Sequence, residues 1–296
     1  MSNFLLRALS GTLYVALIVL SLIFSDLYFC VLCVLFAVLA TVEFSNLTAY
    51  DRRGDNPTPR EKSLTTMSMD VFGIIMLTLP AIGMAFYNYA TGWIFYTIAG
   101  MLLWILYAII RSIAAIYQTD GHAVSDMAYS FFGQIYIGLG LVCAQFLSLQ
   151  SPGLVLLIFL LIWINDTGAF LIGSAFGKLK LFPRLSPGKS WEGFFGGLLL
   201  GVAVSIILLA TGVTGLLMRY PIFGSWEVAI FLPLIVGISG TLGDLFESML
   251  KRSVGAKDSG NLIPGHGGIL DRIDSMLFVM PVTCLFMLLC SFLTAV

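Results

Sequence analysis

Apolar residues in this chain come in long unbroken runs. A transmembrane helix needs about 20 mostly apolar residues, because the hydrocarbon core of a bilayer is roughly 30 Å thick. Nine stretches meet or approach that length: approximately Ala8–Ser25, Leu27–Val42, Met69–Phe86, Gly92–Ile110, Met127–Leu147, Pro152–Gly173, Gly193–Ala210, Val228–Leu245 and Met276–Thr294. Runs such as Leu154–Ile164 lack the alternation that a membrane barrel requires. The pattern therefore predicts an all-α polytopic integral membrane protein with about nine transmembrane helices. The first stretch has some features of a signal peptide, but no small-residue cleavage site precedes the second closely, so it reads as a retained helix.

Composition sharpens this picture. Of 296 residues, 59% are hydrophobic and 10% charged, against about 25% charged in a soluble domain. An ordinary water-soluble enzyme is excluded. A formal net charge of −1 gives no global pull toward nucleic acid, and none is expected as a partner. With nine spans, 14 of the 15 Lys and Arg residues fall on one side, Arg111 among them in a loop, and only Arg219 falls on the other. Positive side chains favour the cytoplasmic side, so the N-terminus is expected there. The five cysteines all lie in apolar stretches, and the Cys30–Cys33 spacing is read as packing.

Polarity divides the chain unevenly. Residues 1–150 read as transmembrane scaffold with possible oligomer contacts, and residues 151–296 as a transmembrane region carrying the chemistry on cytoplasmic loops. In the first part, Glu43, Asp70, Asp120, His122 and Asp126 are expected at span ends or in loops, where a charge costs little. Gly133, Gly138 and Gly140 permit close helix packing, either within one protomer or across a homodimer.

In the second part, Asp166 lies inside an apolar span, and a carboxylate at that depth normally faces a polar cavity or a partner. Asp244 with Glu247, and Asp271 with Asp274, are i,i+3 pairs and share a helix face. Glu247 could instead snorkel to the interface. Hard oxygen ligands of this kind suit Mg²⁺, which takes one or two carboxylates plus substrate phosphates. Salt bridges to Arg252 or Arg272 are the alternative way to neutralise them.

Two loops beside these carboxylates look suited to phosphate. Phe182-Pro183-Arg184-Leu185-Ser186-Pro187-Gly188-Lys189-Ser190-Trp191-Glu192-Gly193 places cations and hydroxyls just ahead of the seventh span. Ile263-Pro264-Gly265-His266-Gly267-Gly268 does the same ahead of the ninth. A helix N-terminus offers unpaired N–H groups to an anion, and glycine allows close backbone approach. Together the loops and carboxylates point to a polyphosphate substrate with a metal.

The stretch from Ser248-Met249-Leu250-Lys251-Arg252 through Lys257-Asp258 to Pro264-Gly265-His266-Gly267-Gly268-Ile269-Leu270-Asp271-Arg272-Ile273-Asp274 resembles the signature of the phosphatidate cytidylyltransferase (CDP-diacylglycerol synthase) family, unbroken over 27 residues. Asn165-Asp166-Thr167-Gly168-Ala169-Phe170 and Ser186-Pro187-Gly188-Lys189-Ser190-Trp191-Glu192-Gly193 resemble two further family blocks. The chain departs from the latter at Gly188, where members often carry lysine, while Lys189 is kept. Before residue 150 the resemblance is only one of hydropathy and span number.

The resemblance implies a Mg²⁺-dependent reaction of CTP with phosphatidic acid, giving CDP-diacylglycerol and pyrophosphate in phospholipid biosynthesis. It implies an enzyme of the cytoplasmic (inner) membrane whose funnel-like site faces the cytoplasm. Asp244, Asp271 and Asp274 would surround the metal, with a monovalent cation such as K⁺ beside it. Lys251 and Arg252 join them as catalytic residues. Ser186, Lys189, Ser190, Glu192, Lys257, Asp258, His266, Gly267, Gly268 and Arg272 are the expected substrate contacts. Asp166 would be another metal or water ligand, or would orient Lys189. Asp258 would either pair with Lys257 or touch substrate, and His266 would donate to a phosphate or order the glycine loop. A transporter, a CTP-dependent lipid kinase and a non-catalytic scaffold are the rival readings.

Overall fold

The computed structural model describes residues 3–51, 58–59, 63–86, 89–119, 121–213, 226–260, 262 and 267–295. Each of the nine expected spans falls on a helix: α1 Asn3–Phe24, α2 Asp26–Thr48, α3 Leu64–Thr78 with α4 Pro80–Phe86, α5 Tyr89–Ile116, α6 Ala123–Gln150, α7 Pro152–Phe176, α8 Trp191–Ala210, α9 Trp226–Ser253 and α10 Leu270–Ala295. Eight spans among the described residues are long and apolar enough to cross a membrane, counting α3 and α4 as one. The apolar part of α1, Leu9–Phe24, is shorter. Pro80 opens α4 and cannot donate an N–H to the preceding turn, which is why the third span breaks there.

Two compact units are built from this chain: residues 1–146 with 251–273, and residues 147–250 with 274–296. In the first unit, glycines set the packing of α6. A Cβ on Gly133 would come within 2.8 Å of the Phe44 ring of α2, and one on Gly138 would strike Leu77 of α3. Both glycines therefore serve packing inside the protomer.

The first unit also holds buried charge where the sequence led us to expect exposed charge. Helix α3 begins at Leu64, so Asp70 lies in its second turn, buried. Arg111 sits within α5 and is fully buried; it is not in a loop. The Arg111 Nε lies 3.5 Å from Asp70 Oδ1. Tyr107 donates to the same oxygen at 2.9 Å, and Ser130 donates to Asp70 Oδ2 at 2.8 Å. Gln134 donates to the Asp70 backbone carbonyl at 2.7 Å. A buried charge persists only when paired and hydrogen-bonded, and three helices converge here to satisfy one carboxylate. Asp126, in the first turn of α6, is buried as well and accepts from Gln118.

In the second unit, α7 and α8 pack along a seam of small residues. A Cβ on Gly168 would lie 3.1 Å from the Gly197 Cα, and one on Gly193 would lie 3.1 Å from the Gly173 Cα. Bulkier residues would force the two backbones apart. Between these helices the chain forms an antiparallel hairpin, β3 Lys180–Phe182 and β4 Ser186–Ser190, pairing Lys180 with Ser190 and Phe182 with Ser186. Hydropathy predicted no more than a loop at this place.

Candidate active site

The hairpin and the helix that follows it are tied together by side chains. Ser190 is the N-cap of α8, and its Oγ accepts from the Gly193 N–H at 3.2 Å. Both Glu192 carboxylate oxygens accept from the Leu179 N–H, at 3.1 and 3.2 Å, and the Trp191 N–H donates to the Leu179 carbonyl at 2.9 Å. Glycine is required opposite the cap, since a Cβ on Gly177 would lie 2.6 Å from Ser190 Oγ. Ser190 and Glu192 thus fix the hairpin at the head of α8, and β4 carries Lys189 at a defined place.

Lys189 reaches Asp244 of α9, Nζ to Oδ2 at 2.6 Å, with both side chains part exposed. Ser248, one turn along α9, donates to Asp244 Oδ1 at 3.3 Å. The pair lines a cavity of about 700 Å³ together with Asp166, Lys180, Ser186 and Thr241. Asp166 opens onto this space, as its depth in the span demands. Its neighbour Asn165 is buried, its Oδ1 lying 2.8 and 2.7 Å from where a Cβ would stand on Gly197 and Gly237. These glycines let α8 and α9 close on α7 just where Asp166 enters the cavity.

Two oxygen-rich carboxylates and nearby hydroxyls in one cavity form a hard donor set. No group of three or more Asp, Glu, His or Cys converges among the described residues. Mg²⁺ asks for only one or two protein carboxylates when phosphate and water complete its shell. Asp166 and Asp244 therefore fit it, with the Lys189 ammonium now sitting where positive charge is needed.

The other expected carboxylates have different surroundings. Asp271, in the first turn of α10, is nearly buried and fully engaged. Lys251 lies 2.6 Å from its Oδ1. Its Oδ2 accepts from the Gly268 N–H at 2.8 Å, the Ser259 N–H at 2.9 Å and the Ser259 hydroxyl at 3.0 Å. Gly267 adopts φ +81°, and a Cβ there would lie 2.5 Å from Asp271 Oδ2, so this position admits only glycine on both counts. The neutralising partners of Asp244 and Asp271 are thus lysines, and neither Arg252 nor Arg272 takes that place. Asp274 is buried and accepts from the Ser275 N–H at 2.6 Å. A Cβ on Gly243 would lie 2.7 Å from the Asp274 carbonyl oxygen, which marks a close crossing of α9 and α10.

Arg252 is exposed and donates to the Ala256 carbonyl at 3.1 Å. Lys257 and Asp258 are exposed, and the Arg272 backbone carbonyl accepts from Tyr14 at 2.9 Å. Glu247 is fully buried and does not snorkel. His266 lies outside the described residues.

The hairpin escaped sequence reasoning, and so did the burial of Glu43. Glu43, expected at a span end, is buried in α2 and accepts from Ser259, Ile269 and Leu270. A glutamate near the end of an apolar helix gives no local sign of partners more than 200 residues away.

Comparison with known proteins bears on this arrangement. A phosphatidate cytidylyltransferase of Staphylococcus haemolyticus is 43% identical over 162 residues, which is 53% of this chain and 57% of that protein. Proteins of the same name from Staphylococcus epidermidis and Staphylococcus aureus are 40% identical over 158 residues and 43% over 160, with the same coverage. The matched region is thus a little over half of each relative's length. The profile described as the Cytidylyltransferase family matches residues 5–290, nearly the whole chain, and the chain belongs to that family.

Proposed function

We propose that this protein transfers the cytidylyl group of CTP to phosphatidic acid in the membrane, releasing pyrophosphate and leaving CDP-diacylglycerol in the bilayer. The observation that carries this reading is the cavity in which Asp166, Lys189 and Asp244 meet among apolar helices. Such a place suits a reaction between a lipid and a polyanion. The relatives' name supplies phosphatidate as the acceptor and the cytidylyl group as what is transferred.

In the proposed reaction a phosphate oxygen of the lipid attacks the α-phosphorus of CTP. The new P–O bond forms as the bond to the bridging oxygen of the β-phosphate breaks, and pyrophosphate leaves with that electron pair. A phosphate monoester is already largely dianionic near neutral pH, its second pKa being about 6. No protein group need remove a proton, so His266 is not required as a base. The difficulty is to bring two polyanions together. Lys189, aided by Lys180 on the same cavity wall, offsets phosphate charge there. Mg²⁺ held by Asp166 and Asp244 would, when bound, neutralise the triphosphate and stabilise charge on the leaving oxygen. Asp271 and Asp274 are assigned to the same chemistry on their motif alone, with Lys251 and Arg252 as their cationic companions. The cavity is assigned to the cytoplasmic side from the distribution of Lys and Arg along the chain, the side from which CTP arrives.

The test uses detergent-purified protein with phosphatidic acid, Mg²⁺ and CTP labelled separately at its α- and γ-phosphates. The reading predicts α-label in the lipid extract, lost without Mg²⁺. Lipid-extractable γ-label would mean a kinase and would overturn it.

A further inference from the structure

Helix α10 begins at Leu270, so the N–H groups of Ile269 and Leu270 have no partner within the helix. Glu43 supplies one from α2. Its Oε1 accepts from the Ile269 N–H at 2.9 Å, and its Oε2 accepts from the Leu270 N–H at 2.9 Å. Ser259 then links this cap to Asp271. Its Oγ lies 3.1 Å from Glu43 Oε2 and 3.0 Å from Asp271 Oδ2, so one hydroxyl proton is shared between two carboxylates. The Ser259 and Gly268 N–H groups complete the set on Asp271.

The surrounding glycines are shaped to the same carboxylate. A Cβ on Gly260 would come within 2.9 Å of Glu43 Oε1, and one on Gly268 would overlap Glu43 Oε2 and Ser259 Oγ. A buried carboxylate is costly unless its oxygens are met by donors. Glu43 meets three, all from the segment 259–270.

We propose that Glu43 is a positioning residue: by capping α10 and sharing Ser259 with Asp271, it sets the place of the Asp271 carboxylate and of the Gly267–Gly268 turn. The assignment rests on the proposed function only in giving Asp271 a part in turnover.

Glu43→Gln is the informative variant, because in either orientation its amide turns an NH₂ toward one of two backbone N–H groups. Turnover, CTP affinity and backbone amide exchange are measured on the full-length protein in detergent. The expected result is a fall in kcat of at least tenfold, a CTP dissociation constant within twofold of wild type, and exchange at least tenfold faster in peptides from 257–271. Peptides from 152–176 should be unchanged. A kcat within threefold of wild type, unchanged exchange in 257–271, or a loss of CTP affinity as large as the loss of kcat would each overturn the proposal.

If Glu43→Gln does not fold, Ser259→Ala carries the test, since it keeps both cap bonds and removes only the shared hydroxyl. About a threefold loss of kcat with faster exchange of 257–271 supports the proposal, and wild-type values overturn it. Exchange is read without substrate. Should the wild-type protein transfer no label from CTP, the proposed function fails, and the exchange comparison alone then decides the Glu43 assignment.

Discussion

Lys189–Asp244 and Lys251–Asp271 are both closed to 2.6 Å, yet they sit in opposite surroundings. The first borders a cavity of about 700 Å³, and its side chains are 27% and 36% exposed. The second is 12% and 9% exposed, and its carboxylate also accepts two backbone N–H groups and a hydroxyl. Distance alone does not separate the two pairs; the remaining bonds of each carboxylate do. Asp244 stands part exposed on the cavity wall, and the proposed function has it exchange its lysine for another cation. Asp271 is held by its own loop, and moving it means moving the loop. Asp70 with Arg111 goes further still, at 3% and 0% exposure, and is read as holding α3, α5 and α6 together.

The largest effect is expected where burial is deepest. Arg111→Ala leaves Asp70 charged and buried, and breaking a buried pair in this way costs about 3–5 kcal/mol. Equilibrium unfolding in detergent should show it, and a loss below 1 kcal/mol would dissolve the distinction between a structural and a functional pair. Asp271→Asn should cut turnover by more than tenfold, a barrier increase above about 1.4 kcal/mol. Steady-state assays retaining more than a tenth of wild-type activity would remove Asp271 from the essential residues. Gly268→Ala forces a methyl against Glu43 and Ser259, an overpacking cost of about 1–3 kcal/mol, visible as a lower unfolding midpoint. The smallest effect on stability belongs to Lys189→Ala. An exposed ion pair contributes about 0–1 kcal/mol, so its unfolding midpoint should barely move even though its function suffers.

The spans were legible because the bilayer imposes a length and a composition that any sequence must satisfy. All nine stretches coincide with helices, and the largest boundary error is at the end of α9, which runs on to Ser253 through charged and polar residues beyond the expected Leu245. The Asp166 cavity was legible for the same reason, since a carboxylate inside an apolar run needs somewhere polar to go. Glu43, Asp70 and Arg111 were not. Each lies near a span end, where local cost gives no warning, and its burial depends on partners from distant helices. The β3–β4 hairpin was hidden too, because Ser186-Pro187-Gly188-Lys189-Ser190 has loop composition, and its pairing is set by the anchors Glu192 and Ser190.

The central claim is that the open pair, Lys189 with Asp244, meets the nucleotide. Equilibrium CTP binding to wild-type, Lys189→Ala and Glu43→Gln proteins tests it most directly. The account predicts a dissociation constant at least tenfold higher for Lys189→Ala, about 1.4 kcal/mol, and one within twofold of wild type for Glu43→Gln. Unchanged CTP affinity in Lys189→Ala would contradict it and move the nucleotide out of this cavity.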